Sequence, residues 1–407
     1  MSEAYIIDAC RTPRGIGKQG KGALAHLHPQ HLGRTVLEAL RDRNELDTSG
    51  VDDIIWGTSS QVMEQSGDIG RMSALDAGYD MKASGVTLDR FCGSGITSAN
   101  FAAMSVMSGM DDLVISGGTE MMSLPKKGLM PMGAGNEHLQ ELHPQSHQGV
   151  CADAIATLEG ISRAALDAHA ADSQAKAEVA VEEGRFDKAL VPVFNLDGSL
   201  ALDREEFPRP GTTAESLAGL NPSFPAVADY RHDEGARTFR EQIVAKFPDL
   251  EIEHVHHAGN SSGVVDGSAA ILWASDDYAK AHGLTPRARV IACATVGDDP
   301  TLMLNAPVPA ARKVLERAGM SIDDIDLWEI NEAFAVVSEK FQRDLDLDRS
   351  KVNVNGGAMA LGHPIGATGA ILIGTVLDEL ERQDKQVGLA TMCTGGGMAP
   401  AIIIERI

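Results

Sequence analysis

Cys92 lies in the stretch of this sequence whose residue types and spacing bear most directly on chemistry. It follows a β-type run, Val86–Leu88, and precedes a run of small and apolar residues, Ile96–Met107, that predicts a buried helix. At a strand-to-helix turn, backbone N–H groups and the positive end of the helix dipole favour a thiolate over a thiol. Gly93 and Gly95 leave room for a ligand beside the sulfur. Taken alone, this stretch fits a structural cysteine before a tightly packed helix better than a reactive one, and the rest of the chain reverses that preference.

Composition narrows the classes of protein in which this cysteine can act. The net charge of −23 over 407 residues argues against a general nucleic-acid or anionic-membrane binder. Five widely spaced cysteines disfavour a disulfide framework or a zinc knuckle: Cys10, Cys92, Cys151, Cys293 and Cys393. With no recognisable signal peptide and no apolar run of membrane-spanning length, we expect a cytoplasmic location and no membrane partner.

The elements that would position Cys92 alternate between strands and helices. Short β-type runs cover 4–9, 51–57, 86–88 and 112–116, and helical periodicity covers 23–41, 69–77 and 96–107. Such alternation predicts an α/β fold with parallel strand pairs and right-handed crossovers.

The second half of the chain repeats the first in the same order, and this predicts duplicated halves. Residues 314–317 and 322–329 echo 36–39 and 51–57, and 352–355 with the helix 371–380 echo 86–107. In a duplicated fold, corresponding turns of the two halves can face one pocket.

The middle of the chain differs from both halves in composition and in predicted structure. Residues 123–149 are rich in Pro, Met, Gly and His and predict a long functional loop, 161–183 is helical, and 204–249 is irregular. We predict three parts, namely an N-terminal core of 1–122 plus 250–277, an inserted loop or lid domain of 123–249, and a C-terminal core of 278–407.

An ordered series of short motifs, along nearly the whole chain, resembles one enzyme family, the thiolases. The matching pieces are 51–57, Cys92-Gly93-Ser94-Gly95, 117–122, 184–187, 209–213, 258–263, Asn331-Glu332-Ala333-Phe334-Ala335, Gly362-His363-Pro364 and Cys393-Thr394-Gly395-Gly396-Gly397. The resemblance implies an α-β-α-β-α arrangement of duplicated βαβαβ halves with an inserted loop domain.

The same resemblance implies an acyltransferase of fatty acid metabolism. Such an enzyme cleaves 3-oxoacyl-CoA into acetyl-CoA and a shortened acyl-CoA, as in β-oxidation, or runs the reverse Claisen condensation. Coenzyme A would be a co-substrate and no cofactor would stay bound. We also expect a homodimer or homotetramer, because members of the family generally form one.

The resemblance assigns five catalytic positions. Cys92 would attack the keto carbon and form a thioester, His363 would activate it, and Cys393 would exchange a proton with the acetyl-CoA carbanion. One oxyanion hole would consist of His363 and a water held by Asn331, and the other of the N–H groups of Cys92 and Gly395. Taken singly, His363 would be a turn residue, Asn331 a helix N-cap and Cys393 a small core residue. Together they favour catalysis.

Substrate contacts follow from the same resemblance. Ser262, Ala258 and Gly259 match the segment that lines the pantetheine of CoA. His147 matches a histidine near the substrate thioester, and Phe334 would form a wall of the acyl pocket.

For several arginines and histidines, the sequence gives weaker evidence of a binding role. Arg185 and Arg209 are candidates for CoA phosphates, with exposed loop arginines as the alternative. His254, His256 and His257 suggest a metal, but no carboxylate accompanies them at a fixed spacing. We therefore predict no metal site and place these histidines at a strand edge.

Three departures from the family pattern bear on the substrate. Pro225–Val255, with a predicted helix at 235–246, stands where the family has a short turn. Met303–Pro307 replaces a glycine-bearing segment, which removes backbone freedom. Gln148 and His257 stand where short-chain biosynthetic enzymes tend to have Met and Thr. These departures predict an acyl group bulkier or more polar than that of acetoacetyl-CoA.

Three other functions stay open at this point. A decarboxylating ketoacyl synthase shares the architecture but uses a second histidine in place of Asn331 and does not need Cys393. A Cys–His hydrolase would use Cys92 and His363 but would leave Cys393 unexplained. A non-catalytic acyl-CoA-binding protein would not need the reactive set.

Overall fold

The computed structural model describes residues 3–124 and 135–407, and twelve strands lie within these ranges. They are β1 (Ala4–Arg11), β2 (Gly15–Ile16), β3 (Asp53–Gly57), β4 (Val86–Leu88), β5 (Leu113–Met121), β6 (Val193–Phe194), β7 (Leu200–Leu202), β8 (Val265–Ser275), β9 (Ala288–Gly297), β10 (Leu327–Ile330), β11 (Val387–Thr391) and β12 (Met398–Arg406).

The same ranges contain fourteen α-helices. They are α1 (Pro29–Arg43), α2 (Ile69–Asp76), α3 (Ser94–Ser108), α4 (Glu137–Leu142), α5 (Gln148–Leu158), α6 (Arg163–Glu182), α7 (Ala214–Ala218), α8 (Pro225–Ala228), α9 (Phe239–Val244), α10 (Asp276–His282), α11 (Pro307–Ala318), α12 (Ala335–Asp344), α13 (Ala358–Leu361) and α14 (Ile365–Arg382). None of the described helices is both long and apolar enough to cross a bilayer.

Nine strands form one continuous sheet in the order β10-β11-β12-β9-β1-β8-β5-β3-β4, with β2 beside β8. The pairs β3–β4, β3–β5 and β10–β11 are parallel, whereas β1–β8, β5–β8, β9–β12 and β11–β12 are antiparallel. The pair β1–β9 is antiparallel as well. The prediction of parallel pairing is therefore wrong for five of the eight neighbouring pairs in this order, all of which involve β1, β8, β9 or β12.

Helices cover the sheet in layers. The helices α3 and α14 share one buried cluster with strand residues from both halves, including Ile271 of β8 and Ile402 of β12. The helices α1 and α2 pack on the other face of the first half, and α11 and α12 on the other face of the second. This is the α-β-α-β-α arrangement that the family resemblance implied, and α3 and α14 form its middle layer.

Some element boundaries differ from the prediction. Helix α1 begins at Pro29 rather than at 23, because proline favours the first helical turn and His28 caps it. The predicted helix at 235–246 is limited to Phe239–Val244, which Thr238 and Glu241 cap. The echo at 352–355 is no strand: Val352 makes one isolated bridge, and Asn353 turns the chain with φ of 44°.

Candidate active site

Cys92 lies in a tight turn between β4 and α3. Phe91 has a left-handed backbone with φ of 47°, which is unfavourable for a bulky residue. The Phe91 N–H donates to Asp89 Oδ1 (2.7 Å), and Ser94 Oγ donates to the Phe91 carbonyl (2.7 Å). These bonds hold the strained residue and fix the direction in which the next side chain, Cys92, leaves the backbone.

The first turns of α3 and α14 are in direct contact through glycines. A Cβ on Gly369 would lie 2.0 Å from the backbone nitrogen of Ile96, and one on Gly95 would lie 2.8 Å from the nitrogen of Gly369. No side chain fits there. Because Cys92 precedes α3 and His363 precedes α14, this contact brings the two sequence-distant turns to the same end of the middle layer.

The turn at Cys393 packs against the Cys92 turn. A Cβ on Gly93 would lie 2.6 Å from Thr394 Oγ1. The Gly395 N–H is bonded to the Cys92 sulfur closely enough to lower its pKa, and the two thiols interact electrostatically. The sequence-predicted residues Cys92, Cys393 and Gly395 thus form one cluster.

Both thiols in this cluster are protonated in the resting protein. Burial is the largest cause and raises the pKa of Cys92 to about 12, and the Glu120 charge adds to it. The N–H groups of Cys92 and Gly395 oppose this shift without reversing it. Burial also raises the pKa of Cys393. The expectation of a resting thiolate is wrong, because desolvation exceeds the effect of the helix terminus.

The hydrogen bonds of His363 define its tautomer. Thr368 Oγ1 donates to the Pro364 carbonyl (2.9 Å), so it accepts from His363 Nδ1, 2.6 Å away. The Nε2 atom is then the free base. Burial lowers the pKa of His363 to about 3, so the ring is neutral at physiological pH.

Asn331 lies beside that free nitrogen. Its Nδ2 is 3.4 Å from His363 Nε2, and its buried Oδ1 has no hydrogen-bond partner among residues 3–124 and 135–407. Glu332 supports this segment, since its carboxylate accepts from Asn353 Nδ2 (2.9 Å) and Ser173 Oγ (2.7 Å). The unpartnered Asn331 Oδ1, held in this way, can accept a hydrogen bond from a water or a substrate group and so position it.

The sequence analysis assigned no role to Thr368 and Glu120, which hold His363 and the start of α14 in place. Thr368 stands five residues after His363, and the signal available was its place in the first turn of the following helix. Glu120 accepts from the N–H groups of Gly366 (2.9 Å) and Ser59 (2.9 Å), so it ties β5 to the start of α14. Only the fold places Glu120 beside that turn.

The proposed CoA segment borders a cavity of about 200 Å³. Its lining comprises Gln174, Phe207, Arg209, Thr212, Ser216, Leu217, Leu220, Ala258, Gly259 and Met359. The guanidinium of Arg209 lies 5.7 Å from the centroid of the Phe207 ring. Ser262 is not in this lining and donates its N–H to the Ala333 carbonyl (2.9 Å). Arg185 is engaged elsewhere, with Glu183 and Asn355.

A continuous set of rings, which we call the aromatic wall, consists of Phe239, His147, Phe224, Phe334 and His256. Successive centroids are 5.7, 5.8, 5.9 and 5.7 Å apart. His147 caps α5 by accepting the Gly149 N–H, and burial lowers its pKa. The predicted substrate residues His147 and Phe334 therefore belong to one set of contacting rings, to which the 225–255 segment contributes Phe239.

The three neighbouring histidines lie in a loop and not at a strand edge, which corrects the prediction. His254 and His256 bind Asp153, and His257 Nε2 bonds to Asp167 Oδ1 (2.8 Å). These carboxylates come from helices about 90 to 100 residues away, so no local spacing could reveal them. Among the residues that the structure describes, no group of His, Cys, Asp and Glu side chains could hold a metal ion.

Comparisons with known proteins bear on the family of this chain. The family model described as thiolase, N-terminal domain matches residues 4–228, and that of the thiolase C-terminal domain matches 284–406. The chain is 39% identical to steroid 3-ketoacyl-CoA thiolase FadA6 of Mycobacterium tuberculosis, with 100% of this chain and 95% of the relative covered. It is 38% identical to an acetyl-CoA acetyltransferase of Thiocystis violacea, with both chains fully covered.

A solved structure extends the likeness to three dimensions. The acetyl-CoA acetyltransferase of Bacillus anthracis superposes with a TM-score of 0.84 at 34% identity, covering 100% of this chain and 99% of that one. These relatives do not favour a synthase, a hydrolase or a non-catalytic binder. The chain belongs to the thiolase family, the CoA-dependent acyltransferases that cleave or form 3-oxoacyl-CoA.

Proposed function

We propose that Cys92, His363, Cys393, Asn331 and Gly395 carry the thiolase reaction. The observation that supports this assignment most strongly is the contact between the first turns of α3 and α14, which sets the Cys92 and His363 turns side by side. The packed Cys393 turn adds the second thiol.

In the first half-reaction, the free Nε2 of His363 takes the Cys92 proton as the sulfur attacks the 3-oxo carbon. The raised pKa of Cys92 and the lowered pKa of His363 both reflect desolvation of a lone charge. A thiolate and an imidazolium formed together stabilise each other, which offsets part of that penalty. The N–H groups of Cys92 and Gly395 and the His363–Asn331 pair bind the developing oxyanions.

The C2–C3 bond then breaks. Its electron pair becomes the carbanion of acetyl-CoA, and the Cys393 thiol protonates it. In the second half-reaction, the Cys393 thiolate takes the proton of incoming CoA, whose sulfur attacks the acyl-Cys92 thioester. Cys92 leaves as a thiolate and recovers its proton from His363.

For the acyl group, we propose a chain bulkier or more polar than acetoacetyl, processed in the degradative direction. The aromatic wall and the insertion residue Phe239 support this, as does the relative that is named as a steroid 3-ketoacyl-CoA thiolase. The enzyme acts as a homodimer or homotetramer in the cytoplasm. Its CoA lies along Ala258, Gly259 and Ser262.

CoA-dependent cleavage of a panel of 3-oxoacyl-CoAs, straight, branched and ring-bearing, tests the proposal. We expect thiolysis that requires both CoA and Cys92, with the Cys92→Ser variant inactive and a larger acyl group preferred over acetoacetyl. A strong preference for acetoacetyl-CoA would contradict the substrate proposal. Unchanged turnover by Cys92→Ser would contradict the assigned nucleophile.

A further inference from the structure

Asn353 completes the outer edge of β10, the strand that ends beside Asn331. β10 is the last strand at one end of the sheet, and β11 pairs along its inner side. On the outer side, the Asn353 N–H donates to the Trp328 carbonyl (2.9 Å). The side chain of Asn353 then takes the place of a further strand residue, because its Nδ2 donates to the Ile330 carbonyl (2.9 Å) and its Oδ1 accepts from the Ile330 N–H (2.9 Å). Both backbone groups of the residue before Asn331 are thereby fixed.

The same amide holds the residue that follows Asn331. Asn353 Nδ2 donates to Glu332 Oε1 (2.9 Å), and Glu332 Oε2 accepts from Ser173 Oγ (2.7 Å) and from the Met359 N–H (3.3 Å). These donors are neutral, and the carboxylate they satisfy is buried, so the loss of any one of them is costly. Asn331 therefore lies between two neighbours that one side chain holds.

His363, the other side chain of the proposed oxyanion hole, is held by different bonds. Its Nδ1 donates to Thr368 Oγ1 (2.6 Å), and its backbone N–H donates to the Gly263 carbonyl (2.9 Å). Loss of the Asn353 amide should therefore displace Asn331 relative to His363 and not move both side chains together. The distance at stake is the 3.4 Å between Asn331 Nδ2 and His363 Nε2.

We propose that Asn353 is a positioning residue whose amide fixes the place of Asn331 in the oxyanion hole. The inference rests on the proposed function, in which Asn331 acts with His363. Asparagine suits this position for two reasons. Its amide both donates and accepts, and asparagine tolerates the left-handed backbone found here, with φ of 44°, better than most residues.

A double-mutant cycle with Asn331→Ala tests the inference. Glycine adopts the backbone of residue 353 without strain, so Asn353→Gly removes the amide alone. We expect Asn353→Gly to lower kcat of thiolysis by about 10- to 100-fold, with a smaller change in KM. In the Asn331→Ala background, the same substitution should change kcat by less than about twofold, because the side chain that it would misplace is already absent.

Asn355→Ala is the matched control. Asn355 is a buried amide in the same turn, but its Nδ2 donates to Glu379 Oε1 (2.8 Å) and its Oδ1 accepts from Arg185 Nη1 (3.0 Å). Because these bonds do not involve residues 330–332, this variant should change kcat by the same factor with and without Asn331. An equal factor for Asn353→Gly in both backgrounds would show a purely structural role and overturn the inference.

Ser173→Ala supplies a second variant if Asn353→Gly does not fold. It removes one donor of Glu332 and leaves Asn353 in place, so it should lower kcat by about threefold or more only when Asn331 is present. The same loss in both backgrounds would also overturn the inference. Unchanged kcat of Asn331→Ala would contradict the proposed role of Asn331 itself, whereas normal kcat of a folded Asn353→Gly variant would contradict the inference alone, so the two failures are distinguishable.

Discussion

At the scale of single residues, the orientation of His363 depends on one hydroxyl. Thr368→Val removes the acceptor of the Nδ1 proton while keeping the side-chain shape. The imidazole can then change tautomer or rotate, and such misplacement lowers kcat by about 100-fold. Steady-state kinetics should show the loss in kcat more than in KM for CoA. Thr368→Ser restores the hydroxyl and should recover activity; equal losses in both variants would contradict an orienting role.

The raised pKa of Cys92 predicts how the reactivity of its thiol depends on pH. Burial raises its pKa to about 12, so the thiolate fraction increases with pH throughout the accessible range. Alkylation of Cys92 by iodoacetamide, followed by peptide mass spectrometry, should accelerate by about tenfold per pH unit between about pH 6 and 9. The Cys393 peptide and the Cys92→Ser variant serve as controls. A plateau with a midpoint below about pH 8 would instead indicate a preformed thiolate.

At the scale of elements, a buried ion group joins the end of β1 and the turn after it to the segment around Glu205. Glu205 contacts Arg11 and Arg14 at 2.6 and 2.7 Å, and all three side chains are buried. Burial opposes ionisation of Glu205, but the two arginines outweigh it and lower its pKa to about 2. Glu205→Gln leaves the arginine charges uncompensated and should lower the free energy of unfolding by about 3–5 kcal/mol.

Urea denaturation measures this effect, with Asp172→Asn, in an exposed pair with Lys176, as a control expected to change stability by less than about 1 kcal/mol. Since the folded pKa of Glu205 lies below the value of 4.5 for a free glutamate, its contribution is complete above that pH. It is lost progressively as the pH falls from about 4.5 toward 2. Equal stability of Glu205→Gln and the unmodified protein at pH 7 would contradict this account.

The turn that borders the proposed CoA cavity depends on helix α6. Asp167 accepts from His257 Nε2 (2.8 Å), Asn260 Nδ2 (2.9 Å) and Arg163 Nε (2.7 Å). In Asp167→Asn, the new amide N–H group faces one of these donors instead of accepting from it. The lost hydrogen bond loosens the 257–260 turn. We expect KM for CoA to increase by about tenfold with a smaller change in kcat. A fall in kcat alone would argue against this positioning role.

At the scale of the whole molecule, the two halves depend on the glycine contact in the middle layer. Gly369→Ala would place a methyl group 2.0 Å from the Ile96 backbone nitrogen and force α3 and α14 apart. We expect a loss of about 1–3 kcal/mol in stability, and a larger loss in activity because the turns of Cys92 and His363 move with these helices. Thermal melting and kcat measure the two effects.

Gly374→Ala, in the same helix, is the matched control. A Cβ at Gly374 would make only an ordinary contact with the Ala9 methyl, at 3.4 Å. Because alanine is the better helix former, this variant should keep its activity and gain up to about 1 kcal/mol. Similar losses in both variants would mean that the Gly95–Gly369 contact has no special role.

Periodicity along the sequence was sufficient to predict the α/β class, since it is a property of neighbouring positions. The layered arrangement and the joint site of Cys92, His363 and Cys393 were expected from the resemblance of the ordered motifs to the thiolases. Local sequence failed where distant segments decide. The antiparallel return of β8, the protonated state of Cys92 and the carboxylate partners of the three histidines depend on which surfaces are buried together. Desolvation and ion pairing are set by that burial, so only the tertiary structure determines the charge and orientation of these groups.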